Sequence, residues 1–161
     1  MESVKTILVP LDLEPGSEIV LARAIQLAAA HAAWLIVLHV VEVEPLAQAA
    51  ALTGRDEDEL RVHLKRETRA TIESLLIEGG RTRRTEVQVE FGSPHQVVTH
   101  VAFERSADLV VIGPGKGRSL KEKLLGSTAD RVIRSAAAPV LMVRRPGAKP
   151  YRRVMVAVDF S

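Results

Sequence analysis

The sequence predicts an α/β domain built on a parallel sheet, and three observations carry that expectation. Short apolar, β-branched runs alternate with longer stretches of helical period along the chain, the pattern of strands joined by helical crossovers. Apolar residues make up 47% of the chain and aromatics only 3%, so the core must be made of Val, Leu, Ile and Ala, as in a sheet covered by helices on both faces. The third observation is a repeat: "VKTILVPLDLE" at residues 4–14 is echoed by "YRRVMVAVDFS" at residues 151–161. Each copy is a basic edge, an apolar strand and an Asp. Asp12 and Asp159 therefore stand just beyond the carboxyl end of a strand, where parallel α/β folds place ligand contacts.

Residues 5–11 read as a central strand, with Pro10 tolerable only near its end. Glu14-Pro15-Gly16-Ser17 is turn chemistry, with Ser17 placed to cap a helix whose apolar period runs from Ile19 to near His31. Residues 35–41 form a second buried strand, and residues 45–53, rich in Ala and Leu, read as a flexible or partly helical excursion over the sheet end. From Asp56 an acidic start, the spacing of Leu60, Leu64, Ile72, Leu75 and Leu76, and the stop at Gly79-Gly80 specify a long amphipathic helix. "TEVQVEFG" alternates as a strand, and Ser93-Pro94 opens the next helix with a capping Ser and Pro at the first helical position. "DLVVIG" is a fourth strand, a helix opens near Ser127, and a fifth strand opens at Pro139 and closes at Val143. This gives five strands and four helices, with one domain over residues 1–145, a linker over 146–150, and at 151–161 the first strand of a second unit.

Composition narrows the function. A formal charge of +2 is weak support for nucleic-acid binding, and the basic cluster Arg81, Arg83 and Arg84 follows a Gly-Gly stop without interleaved aromatics, as a solvated loop would. The chain has no cysteine, which removes disulfides, thiolate metal sites and a Cys nucleophile. No apolar segment reaches the roughly 20 residues of a membrane span, and the N-terminus lacks a signal-peptide core; the expectation is a soluble cytoplasmic protein. The five histidines are scattered, with His95 and His100 off the spacing that aims two rings at one metal, so packing or surface roles are expected.

The candidate chemistry lies in residues 113–128, "GPGKGRSLKEKLLGST", the glycine-rich segment of the chain. Glycines there admit left-handed backbone and close approach of a ligand to N–H groups, which suits phosphate. Ser127 with Asp130 fits a capping pattern at the start of a helix, whose positive dipole end favours an anion, and Lys116, Arg118, Lys121 and Lys123 add cations. The spacing matches neither a Walker loop nor the dinucleotide fingerprint, so a plain surface loop stays open. So does a simple turn role for Asp12.

Taken together, "KTILVPLD", "LIVLHVVE", "FGSP", "ADLVVIG", "LKEKLLGST" and "APVLMVRR" resemble the universal stress protein family over residues 5–144. The resemblance implies an open parallel sheet of order 3-2-1-4-5 with helices on both faces, Rossmann-like and of the adenine nucleotide alpha hydrolase type. It also implies a Gly-2x-Gly-9x-Gly-Ser/Thr loop that binds ATP, with or without Mg2+. On that pattern Asp12, with Pro10 and Leu11 beside it, meets the ribose and adenine region, and Val40 offers a backbone contact to adenine. Gly113 opens the loop, and Gly126 and Ser127, thirteen and fourteen residues later, hold phosphates with Thr128. The middle glycine falls on Lys116, flanked by Gly115 and Gly117, which either blocks the site or shifts the loop by one residue so that the ammonium reaches a phosphate. The implied function is an ATP-binding regulatory module of the stress response with little or no catalysis. Its partners would be an adenine nucleotide and a second copy through the strand Pro139 to Val143, or a following repeat, with neither nucleic acid nor membrane. Two alternatives remain: an assembly module with a degraded loop, and a slow ATPase or autokinase with Ser119, Ser127 and Thr128 as acceptors.

Overall fold

The structure, a computed structural model, describes residues 4–115, 126–147, 149–151, 153 and 155. Ten elements run in order along the chain: β1 (Thr6–Pro10), α1 (Ser17–His31), β2 (Trp34–Val41), α2 (Val43–Thr53), α3 (Glu57–Gly79), β3 (Thr85–Phe91), α4 (Pro94–Glu104), β4 (Leu109–Ile112), α5 (Ser127–Ser135) and β5 (Val140–Met142). The strands form one five-stranded sheet of order β3-β2-β1-β4-β5, all pairs parallel. β1 is central because its apolar residues can be buried on both sides, Ile7, Leu8 and Val9 each being fully inaccessible.

The strand period of two divides the core. Ile7 and Val9 point to one face, where they meet Val20, Leu21, Ala24 and Ala28 of α1 and Ile72 and Leu76 of α3. Leu8 points to the other, against Val98, Val101 and Ala102 of α4 and Ala129 and Val132 of α5. Asp108 fixes the start of β4 beside the start of β1: its Oδ2 accepts the Lys5 and Thr6 N–H groups at 2.7 and 2.9 Å. Those bonds hold the Asp108 carboxyl below its ordinary pKa.

Helix boundaries follow the expected stops more closely than the expected caps. Gly54 and Gly80, at φ 65° and 89°, end α2 and α3 in the left-handed region. Residues 45–53, expected as a flexible or partly helical excursion, lie in the regular helix α2, held by buried Leu46 and Ala50, so the described helices number five rather than four. Asp56 caps α3 by accepting the Asp58 and Glu59 N–H groups, each at 3.0 Å. The three serines expected as caps do not cap. The α1 N-cap is Gly16, while the Ser17 hydroxyl is spent on Asp12. Ser93 stands at the N-cap of α4, with Pro94 following as expected, but its Oγ pairs with His95 Nδ1 at 3.1 Å. Gly126, not Ser127, is the N-cap of α5, and Asp130 is held by Arg134 Nε at 3.1 and 3.0 Å instead of closing a capping box. That bond also pushes the Arg134 pKa up.

The two sheet edges differ. In β3 the even-numbered residues bond towards β2, as Leu35 N–H to Arg84 O and Gly92 N–H to Val41 O show, so Thr85 and Val87 turn their carbonyls outward. Arg69 Nη2 donates to Val87 O at 2.7 Å and Arg81 Nη2 to Thr85 O at 3.3 Å, covering the edge with side chains of α3 and of the turn after it. After β5 the chain joins β4 once more through Val143 N–H to Ile112 O at 2.8 Å and then passes back to α1, where Arg23 Nη1 donates to Lys149 O at 3.0 Å. Asp159 and most of the repeated strand motif lie outside the described residues.

Candidate nucleotide site

The strand order reverses direction at β1, with β2 on one side and β4 on the other, so the carboxyl ends of β1 and β4 frame a crevice at a topological switch point. Four of the expected contacts converge on that edge. Asp12 follows β1, Val40 lies near the end of β2, Gly113 follows β4, and Gly126 precedes α5.

Asp12 is exposed and its carboxylate is oriented by the chain around it. Oδ1 accepts from Ser17 Oγ at 2.8 Å and from Glu14 N–H at 3.2 Å, and among the described residues Oδ2 accepts from none. The turn role expected as one reading of Asp12 is thus real, and it uses one oxygen. Leu13 has φ 58°, a left-handed conformation that a branched residue adopts at a cost; Leu13 packing on the core below and the two bonds to Asp12 above hold it there.

His39 shapes the neighbouring backbone. Leu11 N–H donates to Leu38 O at 2.8 Å, continuing the β1–β2 ladder, and the next rung would be Val40 N–H to Leu11 O. That rung is absent, and His39 Nδ1 stands 2.8 Å from the Leu11 carbonyl instead. A carbonyl only accepts, so Nδ1 carries the proton. Val40, two positions past the last β1–β2 pair at Pro10 and Leu38, therefore turns its N–H and C=O towards the crevice without a strand opposite. Pro10 ends β1 and Leu11 is buried beneath the turn at 4% exposure, so both support the site and Asp12 faces it.

Residues 116–125, including Lys116, Gly117 and the loop cations, lie outside the described residues, but both ends of the segment are described and they touch. Gly126 N–H donates to Pro114 O at 3.0 Å. A Cβ on Gly126 would fall 2.9 Å from that oxygen, and one on Gly115 would fall 3.2 Å from Gly126 Cα. Gly115 itself has φ 94°. Glycine is required at both positions, by close approach and by conformation. Gly113 is tight as well, its added Cβ falling 3.1 Å from Val20 Cγ2 of α1. Ser127 and Thr128 are exposed in the first turn of α5, where Asp130 N–H to Gly126 O at 2.9 Å is the first helical bond. The N–H groups of residues 127–129 precede it, and among the described residues no side chain caps them.

Two contributors escaped the sequence reading: the Ser17 hydroxyl, assigned to a helix cap, and the His39 ring, expected like the other histidines only in a packing or surface role. The remaining histidines have separate partners, His63 with Glu67, His100 with Glu104 and His95 with Ser93, apart from His31, which is exposed in the last turn of α1. Among the described residues no group of three His, Asp or Glu could hold a metal ion, and no helix is long and apolar enough to cross a membrane.

Comparison with known proteins agrees with this architecture. The model of the universal stress protein family matches residues 3–144. Universal stress protein G of Escherichia coli O157:H7 is 34% identical over 150 residues, covering 87% of this chain and 99% of its own. The solved structure of Methanocaldococcus jannaschii MJ0577 superposes with a TM-score of 0.74 at 27% identity, over 91% of this chain and 100% of that one. A universal stress protein solved in complex with cAMP gives a TM-score of 0.62 at 26% identity, over 88% and 98% of the two chains. The sheet order, the matched span and these relatives together establish that the chain belongs to the universal stress protein family.

Proposed function

We propose that this protein is an adenine-nucleotide-binding regulatory module, acting through nucleotide-dependent conformation or assembly with little or no catalysis. The observation that carries this reading is the convergence, at the switch-point edge, of an oriented carboxylate, the Val40 backbone groups with no β1 residue opposite them, and a glycine-closed loop ahead of a helix N-terminus that no described side chain caps. Asp12 suits a ribose hydroxyl, since its Oδ2 remains available as an acceptor. The backbone of Val40 suits the hydrogen-bonding edge of adenine. Residues 113–115 and 126–128 suit phosphates, which gain from N–H groups and the helix dipole. A related structure holding cAMP supports the ligand class, and ATP is the nucleotide proposed here. Ser17 Oγ bonds Asp12 at 2.8 Å but is buried at 6% exposure, so its hydroxyl suits orienting the carboxylate better than attacking a substrate.

Titration calorimetry with ATP and with cAMP, alongside thermal unfolding, tests the reading. Ligand at about 100 times its Kd stabilises by roughly 2.7 kcal/mol, several degrees of Tm in a domain of this size. Asp12→Ala is expected to weaken binding at least tenfold, and Ser17→Ala to weaken it less while leaving the fold intact. Neither heat nor a Tm shift with millimolar nucleotide would sink the proposal in favour of an assembly module whose loop is degraded at Lys116.

Residues 1–145 are proposed as one universal stress protein-like domain, 146–150 as a linker and 151–161 as the opening strand of a second unit, on the strength of the repeated strand-Asp motif. A second copy, or that second unit, is proposed to pair along β5.

A further inference from the structure

Arg23 lies in the second turn of α1 and is 6% exposed, a burial that a guanidinium tolerates only with matched partners. Among the described residues it meets no carboxylate. Its partners are Gln26 Oε1 on its own helix, the Lys149 carbonyl at 3.0 Å, and the Tyr151 ring, whose centroid is 4.4 Å from Cζ. Two of the three belong to the segment that leaves β5. That segment lies close against the guanidinium: a Cβ on Gly147 would fall 2.2 Å from Arg23 Nη2, so any larger residue there would displace the end of the Arg23 side chain. Among the described residues Arg23 Nε is buried without a hydrogen-bond partner.

We propose that the face of α1 centred on Arg23 is a docking seat for the connector of the same chain that carries Gly147, Lys149 and Tyr151, which fixes the course on which the later residues depart. Recognition cannot rest on charge, because the connector is basic, with Arg144, Arg145, Lys149, Arg152 and Arg153 in and around it. It rests on a carbonyl accepting from Nη1 while an aromatic ring lies over the planar guanidinium, a combined geometry that the compact Lys ammonium does not reproduce. Pro146 and Pro150 lie along the connector and stiffen it, which lowers the entropy lost on docking. The seat also adjoins the candidate site. Ser17, Val20 and Arg23 succeed one another at intervals of three along α1 and touch Asp12, Gly113 and the connector in turn. The seat stands on these contacts alone; only the assignment of the chain beyond Tyr151 to a second unit rests on the proposed domain organisation.

Tyr151 is the sole tyrosine in the chain, so chymotryptic cleavage after it, followed by mass spectrometry, reads the docked state directly. The 161-residue chain is compared with R23M, which keeps an unbranched side chain at the buried position, and with G147A, which keeps the arginine but sets a methyl group against its guanidinium. Cleavage is expected to accelerate about tenfold or more in both, with circular dichroism and Tm near those of the parent, and protection in the parent is expected to be independent of protein concentration. Should R23M fail to fold, G147A and the chemical shifts of the Tyr151 ring decide. Equal cleavage rates in parent and folded variants would overturn the seat. Protection that vanishes on dilution would overturn it too, by assigning the seat to the connector of a second copy.

Discussion

Asp108 shows how much one exposed carboxylate can organise. Its Oδ2 receives two backbone N–H groups from residues more than a hundred positions away, joining the first strand to the fourth before either enters the sheet. Those bonds, Lys5 first and Thr6 next, lower its pKa in the folded state. A carboxyl with a depressed folded pKa contributes stability that is fully present above its unfolded value, about 3.9, and is lost as pH falls through the folded value. Asp108→Ala is therefore expected to cost about 1 kcal/mol at pH 7, a figure kept low because the group is solvated. The difference between the two proteins should shrink towards zero as urea unfolding is repeated below pH 4. A gap that persists undiminished at pH 3 would assign the role of Asp108 to packing rather than to its charge. Asp12 works at the same scale: one of its oxygens builds the turn, and among the described residues the other accepts no hydrogen bond.

Among the elements, the junction of β4 and α5 is the most demanding, since a ten-residue segment, 116–125, must leave and return through two touching glycines. Gly126→Ala pushes a methyl group against Pro114 O, and overpacking of that kind costs roughly 1–3 kcal/mol. It is expected to weaken nucleotide binding at least tenfold, as calorimetry would measure. Ser127→Ala, by contrast, should change stability by only a few tenths of a kcal/mol, because a true cap would cost about 1 kcal/mol and Ser127 caps nothing. These two variants mark what was legible in the sequence. Strand period, helix period and glycine stops are local properties, and every strand and four of the helices are readable from them; α2 was ambiguous because Ala-rich segments declare no face until Leu46 and Ala50 are seen buried. Caps were misread because each serine hydroxyl or acid had a competitor: Asp12 took Ser17, His95 took Ser93, and Arg134 took Asp130. The site edge was legible from Asp12 and the glycines, whereas the His39 bond to Leu11 depends on the register of two strands, and the Arg23 contact spans 126 positions of sequence.

At the scale of the whole molecule, the sheet formed by the described residues has two edges, and they are not equivalent. The outward carbonyls of β3 at Thr85 and Val87 are already engaged by Arg81 and Arg69, a covering that discourages pairing with another chain. In β5, Pro139 O and Val143 N–H bond to β4, so alternation turns the backbone groups of Val140 and Met142 outward, and among the described residues no side-chain donor or acceptor covers them. If assembly occurs by strand addition, β5 is the edge that can take it. Met142→Pro removes one outward N–H while leaving the β4 bonds of residues 139 and 143 in place. It is expected to weaken self-association at least tenfold in sedimentation velocity at micromolar concentrations, with circular dichroism unchanged. The paired variant Arg69→Ala/Arg81→Ala should act in the opposite sense, opening β3 and producing larger species, because a molecule with two usable edges can grow past a dimer. A parent protein that stays monomeric throughout, or a folded Met142→Pro variant that associates as the parent does, would remove β5 as the assembly surface.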